Sequence, residues 1–197
     1  MHDTSLCFFR GNEVPLASAL GDFSLSHGKP LKLPPQSILC RQGSATGALY
    51  YCVSGVIQAS SLLEDGTVKT FFIFGAECLL GTENIGPAQS ILQYKCRTNC
   101  EILALYPECL TALPTTHFLE LLNLLAYQTI MIQNQKSLLS TPSSGKIIQK
   151  FHAEYDEWRK KAPGNARYNP SVKDIAQMIG LTHMQTRNLL KKEPSFQ

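Results

Sequence analysis

The sequence predicts an α+β chain in which a body of short strands is followed by one long helix and a small helical module. Three observations carry that reading. Turn signals break residues 38–106 into short runs rich in Val, Ile, Tyr, Phe and Leu. The apolar spacing switches to a helical period after Pro114. Two capping boxes separated by Gly180-Leu181 then lie near the end of the chain. At 197 residues there is enough chain for one sizeable core and a small second one.

The strand region divides at Gln42-Gly43-Ser44, at Ser54-Gly55 and at Glu64-Asp65-Gly66-Thr67. The last is the strongest hairpin signal, because Asp-Gly supplies the positive φ that a tight turn needs. The intervening runs are Ala48 to Val53, Val56 to Leu62, Lys69 to Phe74, Ile91 to Arg97 and Glu101 to Tyr106. Strands at this spacing form a barrel, a sandwich or a roll. Beyond Pro114, Phe118, Leu122, Leu125, Thr129, Ile132 and Leu139 follow a 4-3 spacing, with Leu121, Leu124 and Met131 beside them. A helix from about Thr116 to Leu139 would be roughly 35 Å long. Its apolar surface is wide enough to cover the strand body on one side and meet a second copy on the other; a single buried helix in a monomer is the alternative.

Ser140 to Gly145 reads as a hinge, and the predicted domains are 1–114, 115–140 (the long helix), 141–145 (the hinge) and 146–197. After the hinge, Ile147, Ile148, Phe151, Tyr155 and Trp158 fit an amphipathic helix that ends at Ala162-Pro163-Gly164-Asn165. Ser171 with Asp174, and Thr182 with Gln185, open two short helices around Gly180, which makes a helix-turn-helix. Ala176 is small where these helices approach, and Ile175, Ile179 and Leu189 point to a core.

Hydrophobic residues make up 44% and charged residues 17%, which excludes a wholly disordered chain. The absence of an apolar run of about 18 residues predicts no membrane span. Met1 to Leu20 has no basic start followed by an apolar run, so a cytoplasmic location without a secretory signal is expected. Charge is unevenly placed: residues 1–145 hold 8 basic and 10 acidic side chains, whereas residues 146–197 hold 10 and 5. A small basic module suggests a polyanion partner. All seven cysteines (Cys7, Cys40, Cys52, Cys78, Cys96, Cys100, Cys109) precede residue 110, with no CxxC pair. That pattern predicts reduced thiols and no metal site. Cys96 and Cys100 are expected to flank a turn, either as buried small hydrophobes or as a redox pair.

The order of these parts resembles the cyclic-AMP receptor protein and fumarate–nitrate regulator (Crp/Fnr) family of transcription factors. The stretches that carry the match are Cys40-Arg41-Gln42-Gly43, Leu49 to Gly55, Glu64-Asp65-Gly66, Phe74-Gly75 with Leu79-Leu80-Gly81, and Ser144-Gly145-Lys146-Ile147. Together they extend over about residues 15–192. The resemblance implies a double-stranded β-roll of the cyclic-nucleotide-binding type, a dimerisation helix and a C-terminal helix-turn-helix. It also implies a homodimer that binds DNA, a small-molecule effector and RNA polymerase, acts by population shift, and is not an enzyme. No cofactor is expected beyond that effector.

Several residues depart from the family's cyclic-nucleotide pattern. A Glu is expected directly after the second loop glycine, but Thr82 follows Gly81 and Glu83 comes one place later. An Arg-Ser pair is expected on the cyclic phosphate, and Ser90 and Ile91 stand there. Without that Arg a buried phosphate loses its charge-assisted partner, so the effector is expected not to be cyclic AMP. The expected pocket is formed by Leu79, Leu80, Gly81, Thr82, Glu83, Ser90 and Ile91, roofed by Tyr127, Met131, Gln135 and Lys136. An aromatic or amphipathic acid would suit it, which is similar to the halorespiration-type branch; a vestigial pocket is the alternative.

The iron–sulfur and haem branches are a poorer match, since Cys7 is the one N-terminal cysteine and no His lies near Cys78. Five scattered His residues (His2, His27, His117, His152, His183) likewise fit no cupin metal site. On the second helix, Thr182, His183, Gln185, Thr186, Arg187, Asn188 and Lys191 are the candidate DNA-binding residues. Gln and Asn can read adenine, Arg can read guanine, and Lys suits phosphate. Only Glu193 to Gln197 follow Lys192, so the family's β-hairpin wing is expected to be missing. That makes a dimeric ligand- or partner-binding module that no longer binds DNA the alternative function.

Overall fold

The structure is a computed structural model that describes residues 8–11, 18–84, 89–140, 144–161 and 168–192, with backbone alone at 131, 132 and 134–140. Nine strands and six α-helices occur in the order β1 (Phe9–Arg10), α1 (Ala19–His27), β2 (Lys29–Leu33), β3 (Ile38–Cys40), β4 (Leu49–Ser54), β5 (Ile57–Leu62), β6 (Val68–Phe74), β7 (Cys78–Leu80), β8 (Gln93–Cys96), β9 (Cys100–Leu105), α2 (Pro107–Leu110), α3 (Thr115–Ser140), α4 (Ser144–Lys161), α5 (Val172–Ile179) and α6 (His183–Leu190), among the described residues. The strands form a five-stranded sheet, β1-β6-β5-β8-β3, and a four-stranded sheet, β2-β9-β4-β7. All pairings are antiparallel except β1 with β6.

The two sheets face each other as a roll. Successive side chains on a strand alternate between faces, so each sheet buries two apolar sets. Tyr50, Cys52, Cys78, Leu80, Ile102 and Ala104 from the four-stranded sheet meet Ile57, Ala59, Phe72, Phe74 and Tyr94 from the other. Behind the four-stranded sheet, Leu49, Tyr51, Leu79 and Leu105 pack on Leu20 and Phe23 of α1 and on Leu121 and Leu124 of α3. Behind the five-stranded sheet, Phe9, Val56 and Ile73 pack on Ile147, Phe151, Tyr155 and Trp158 of α4 and on Ile175, Met178 and Ile179 of α5.

The β5–β6 hairpin turns where Asp-Gly predicts it. Gly66 has φ +80°, and Asp65 Oδ1 accepts from the Thr67 amide at 2.9 Å and its hydroxyl at 2.7 Å. Cys96 ends β8 and Cys100 opens β9, both buried, and no described cysteine is in a disulfide. Among the described residues no His, Cys, Asp and Glu gather into a metal-holding group, and no helix is long and apolar enough to cross a membrane.

α3 runs for 26 residues and has two apolar faces. Leu121 and Leu124 are buried against the roll, whereas Phe118, Leu119, Leu122 and Ile130 are exposed. Of the predicted hinge, Thr141, Pro142 and Ser143 lie outside the described residues. Ser144 and Gly145 differ from the expectation: they form the first turn of α4. The predicted stop at Ala162 to Asn165 and the segment after Lys192 also lie outside the described residues. Both capping boxes of the helix pair are present, and Gly180 caps α5 in the left-handed region at φ +72°.

The helical module is fastened to the roll by a short polar bridge. Arg97, on the β8–β9 turn, donates through Nη2 to Asp174 Oδ2 at 2.8 Å and through Nη1 to Gln58 Oε1 at 3.0 Å, and lies over the Tyr168 ring. The Arg97 and Asp174 side chains are 19% and 6% exposed. Asp174 is also the acceptor of the α5 capping box, receiving the Ser171 amide at 2.9 Å. Removing one member of a buried pair strands the other charge. Arg97→Met should therefore lower unfolding free energy by about 3–5 kcal/mol in urea melts monitored by circular dichroism.

Candidate functional site

A cavity opens where β7 leaves the roll beneath α3. β7 leads into Gly81, whose φ of +79° and close neighbours leave no room for a side chain: an added Cβ would sit 3.0 Å from the Ala48 carbonyl and 3.2 Å from the Tyr50 ring. A 3-10 turn, Thr82–Asn84, follows and is closed by the Asn84 amide donating to the Gly81 carbonyl at 2.9 Å. The Tyr94 hydroxyl then ties the loop together. It accepts from the Gly81 amide at 3.2 Å and donates to Glu83, whose carboxylate oxygens lie at 2.8 and 2.9 Å. Burial, reinforced by the Glu83 carboxylate, pushes the Tyr94 phenol well above its ordinary pKa, so it remains a donor.

α3 is clamped over this loop by Gln128. Its Oε1 accepts from Thr82 Oγ1 at 2.8 Å and its Nε2 donates to the Leu79 carbonyl at 3.2 Å. The cavity has a volume of about 190 Å³. Phe72, Phe74, Leu80, Leu92 and Leu125 make its apolar wall, and Arg10, Thr82, Glu83, Tyr94, Gln128 and Thr129 its polar one.

Of the expected pocket residues, Leu80, Gly81, Thr82, Glu83 and Ile91 line this cavity. Leu79 is a correction: it pairs with Tyr51 on the opposite face of the sheet and packs against α1 and α3. A one-residue step along a strand reverses the side on which a residue sits. Ser90 is buried just behind the wall, donating to the Leu92 carbonyl at 2.7 Å and reaching Glu83 at 3.3 Å. Tyr127 is half exposed, with its ring centroid 4.9 Å from the Arg10 guanidinium. The side chains of Met131, Gln135 and Lys136 lie outside the described residues. Sequence reasoning missed Arg10, the two phenylalanines, Leu92, Tyr94, Leu125, Gln128 and Thr129. The aromatic content of Lys69 to Phe74 was a visible signal for the phenylalanines; a two-residue strand leaves none for Arg10.

The second candidate site is α6. His183, Gln185, Arg187, Asn188 and Lys191 are exposed, as is Met184 between them. Thr182 and Gln185 are engaged in the capping box, with Gln185 Oε1 accepting the Thr182 amide at 3.0 Å. Thr186 is a second correction: its side chain is fully buried and donates to the Thr182 carbonyl at 3.0 Å, so it cannot reach a nucleic acid. At the helix N-terminus, Thr182 and His183 face Thr67, Val68 and Lys69 of the β5–β6 hairpin across a shallow groove.

A roll with a cavity against a long helix, joined to a capped helix pair, defines a two-part α+β architecture. The chain has the fold of the Crp/Fnr transcriptional regulators. Solved structures similar to it include the c-di-GMP-responsive global regulator CLP of Xanthomonas campestris, with 19% identity, TM-score 0.69, and 88% of this chain and 89% of that one covered. A CRP/FNR-family regulator from Thermus thermophilus is similar at 13% identity and TM-score 0.68, covering 83% and 84%. CprK in complex with OCPA is similar at 15% identity and TM-score 0.61, covering 95% and 88%. No protein-family model matches the sequence, and no curated protein sequence matches it.

The Tyr94 hydroxyl is a joint whose removal is measurable. Tyr94→Phe leaves the Gly81 amide and the Glu83 carboxylate without their partner and should cost about 1–3 kcal/mol in chemical denaturation.

Proposed function

We propose that this chain is a DNA-binding transcriptional regulator of the Crp/Fnr type, responding as a homodimer to a small-molecule effector other than cyclic AMP. The observation that carries the reading is the presence, in one chain, of a cavity under α3 and a capped helix pair that turns His183, Gln185, Arg187, Asn188 and Lys191 to solvent. The second helix of such a pair enters the major groove, and the excess of basic residues after position 145 favours a polyanion. Exposed Phe118, Leu119, Leu122 and Ile130 give α3 a face that a second copy would cover. A cytoplasmic location and contact with RNA polymerase belong to the same reading.

Small-molecule control is supported by the cavity and by the company the fold keeps: CLP is c-di-GMP responsive and CprK was solved with OCPA. Against cyclic AMP stand three features. Ser90 and Ile91 occupy the place of the phosphate-binding pair, Glu83 is engaged by Tyr94, and pockets for larger ligands start at about 300 Å³. In this reading the effector fills the cavity between roll and α3, shifts the population of α3 arrangements, and reorients the two helix pairs to match successive major grooves. No bond is made or broken.

Selection from random duplexes followed by band-shift across a salt series tests the reading. Binding should weaken with salt in proportion to the phosphates neutralised. Arg187→Ala should cost about 1–3 kcal/mol and relax specificity at one position, while Lys191→Ala should weaken all sequences alike and lower the salt slope by about 1. Absent or salt-insensitive binding would overturn the regulator and leave a dimeric ligand- or partner-binding module of the same fold.

A further inference from the structure

The solvent side of α6 is a single stripe. Residues three, four or seven positions apart come round to the same side of a helix. Met184, Arg187, Asn188 and Lys191 stand at that spacing, and all four are exposed. Thr186 and Leu190 fall on the opposite side and are buried, at 0% and 7% exposure. Three members of the stripe are polar or basic and the fourth is not. At 71%, Met184 is the most exposed large apolar side chain among the described residues.

The neighbours of Met184 have tasks of their own. Thr182 and His183 line the groove toward the β5–β6 hairpin, which Met184 does not enter. Gln185 Oε1 accepts both the Thr182 amide at 3.0 Å and the Thr182 hydroxyl at 2.9 Å. An amide reads adenine with its oxygen and nitrogen together, and this oxygen has both lone pairs engaged. The capping box therefore takes Gln185 out of that role, and the base-facing positions left on the stripe begin with Met184.

We propose that Met184 is a specificity-determining residue of α6 and reads the 5-methyl group of a thymine in the DNA major groove. The proposal rests on the reading of α6 as the groove-entering helix. Residues near the N-terminus of such a helix contact base edges, and Met184 is the second residue of α6. The thymine methyl is the apolar feature that the major groove presents, and apolar side chains meet it. An unbranched thioether adapts its shape to such a contact. Charge selects duplex DNA over an apolar protein surface as the occupant. Arg187 and Lys191 share the stripe, in a segment with 10 basic and 5 acidic side chains, and an apolar partner would strip water from both cations without replacing it.

The test removes the methyl alone. A duplex selected from random sequences is remade with deoxyuridine in place of thymidine, one position at a time, and the affinity of the full chain for each is measured. At one thymine of a half-site the replacement should weaken wild-type binding about fourfold, the worth of one buried CH₂ group. Met184→Ala should bind the thymidine and deoxyuridine duplexes alike at that position while keeping its other base preferences, and Met184→Leu should retain part of the discrimination. Comparing the two duplexes with the two proteins cancels the effect of the methyl on the duplex itself. No phosphate contact is lost, so Met184→Ala should leave the salt slope unchanged. Circular dichroism and a cooperative melt establish that each variant is folded.

Wild-type binding that is indifferent to deoxyuridine at every position overturns the role of Met184 and leaves the regulator reading intact, a comparison that needs no variant. A deoxyuridine penalty that persists undiminished in folded Met184→Ala overturns it equally. Absence of duplex binding by wild type overturns the regulator reading, and the role of Met184 with it.

Discussion

A sheet with two apolar faces has to be covered twice, and that requirement organises this molecule. The five-stranded sheet buries Phe72, Phe74 and Tyr94 inside the roll, yet it also presents Val56, Ile73 and Phe9 on its outer side. Left in water, that outer set would forfeit roughly 25 cal/mol for each Å² of apolar surface. The helical module covers it, α4 contributing Phe151, Tyr155 and Trp158 and α5 contributing Ile175 and Met178. Apolar cover alone would let the module slide. The Arg97–Asp174 pair and the Trp158 bond to Arg10 fix its position, because directional bonds in a dry environment tolerate little displacement.

The same sheet therefore serves as a partition. One side is the roll interior with its ligand-sized cavity, and the other is the base of the helix pair. Because Arg10 and Phe74 face one side while Phe9 and Ile73 face the other, the partition is one strand thick at this point. The loop at Gly81 and the clamp at Gln128 give the cavity a second wall in α3.

Local chemistry was legible in the sequence, and long-range pairing was not. Ser171 with Asp174, Thr182 with Gln185, and Asp65-Gly66 each satisfy their own backbone within four residues, so their motifs could be read directly. The two apolar faces of α3 showed in the spacing of Phe118, Leu121, Leu122 and Leu124, since a helix repeats its faces over short distances. By contrast, β1 is two residues long and owes its existence to β6, so no period announces it. Leu79 and Leu80 look alike in sequence, and only strand register decides which enters the cavity. Thr186 looked like a reading residue for a similar reason: its polarity suggested solvent, but its hydroxyl is consumed by the Thr182 carbonyl one turn earlier. Of the candidate site, the glycine loop could be found from sequence, while its cation and aromatic wall had to come from topology.

The β1 contact has a further consequence for how the chain assembles. Phe9 reaches Glu154 and Arg10 reaches Trp158 across separations of 145 and 148 residues, among the longest in the molecule. Such contacts carry a large loop-closure entropy and form late. On a ribosome, β1 would wait for α4 before Phe9 is covered. Until then the outer side of the sheet is a sticky surface, and the roll with its cavity can complete itself beforehand. The order of synthesis thus places closure of the roll before attachment of the helical module.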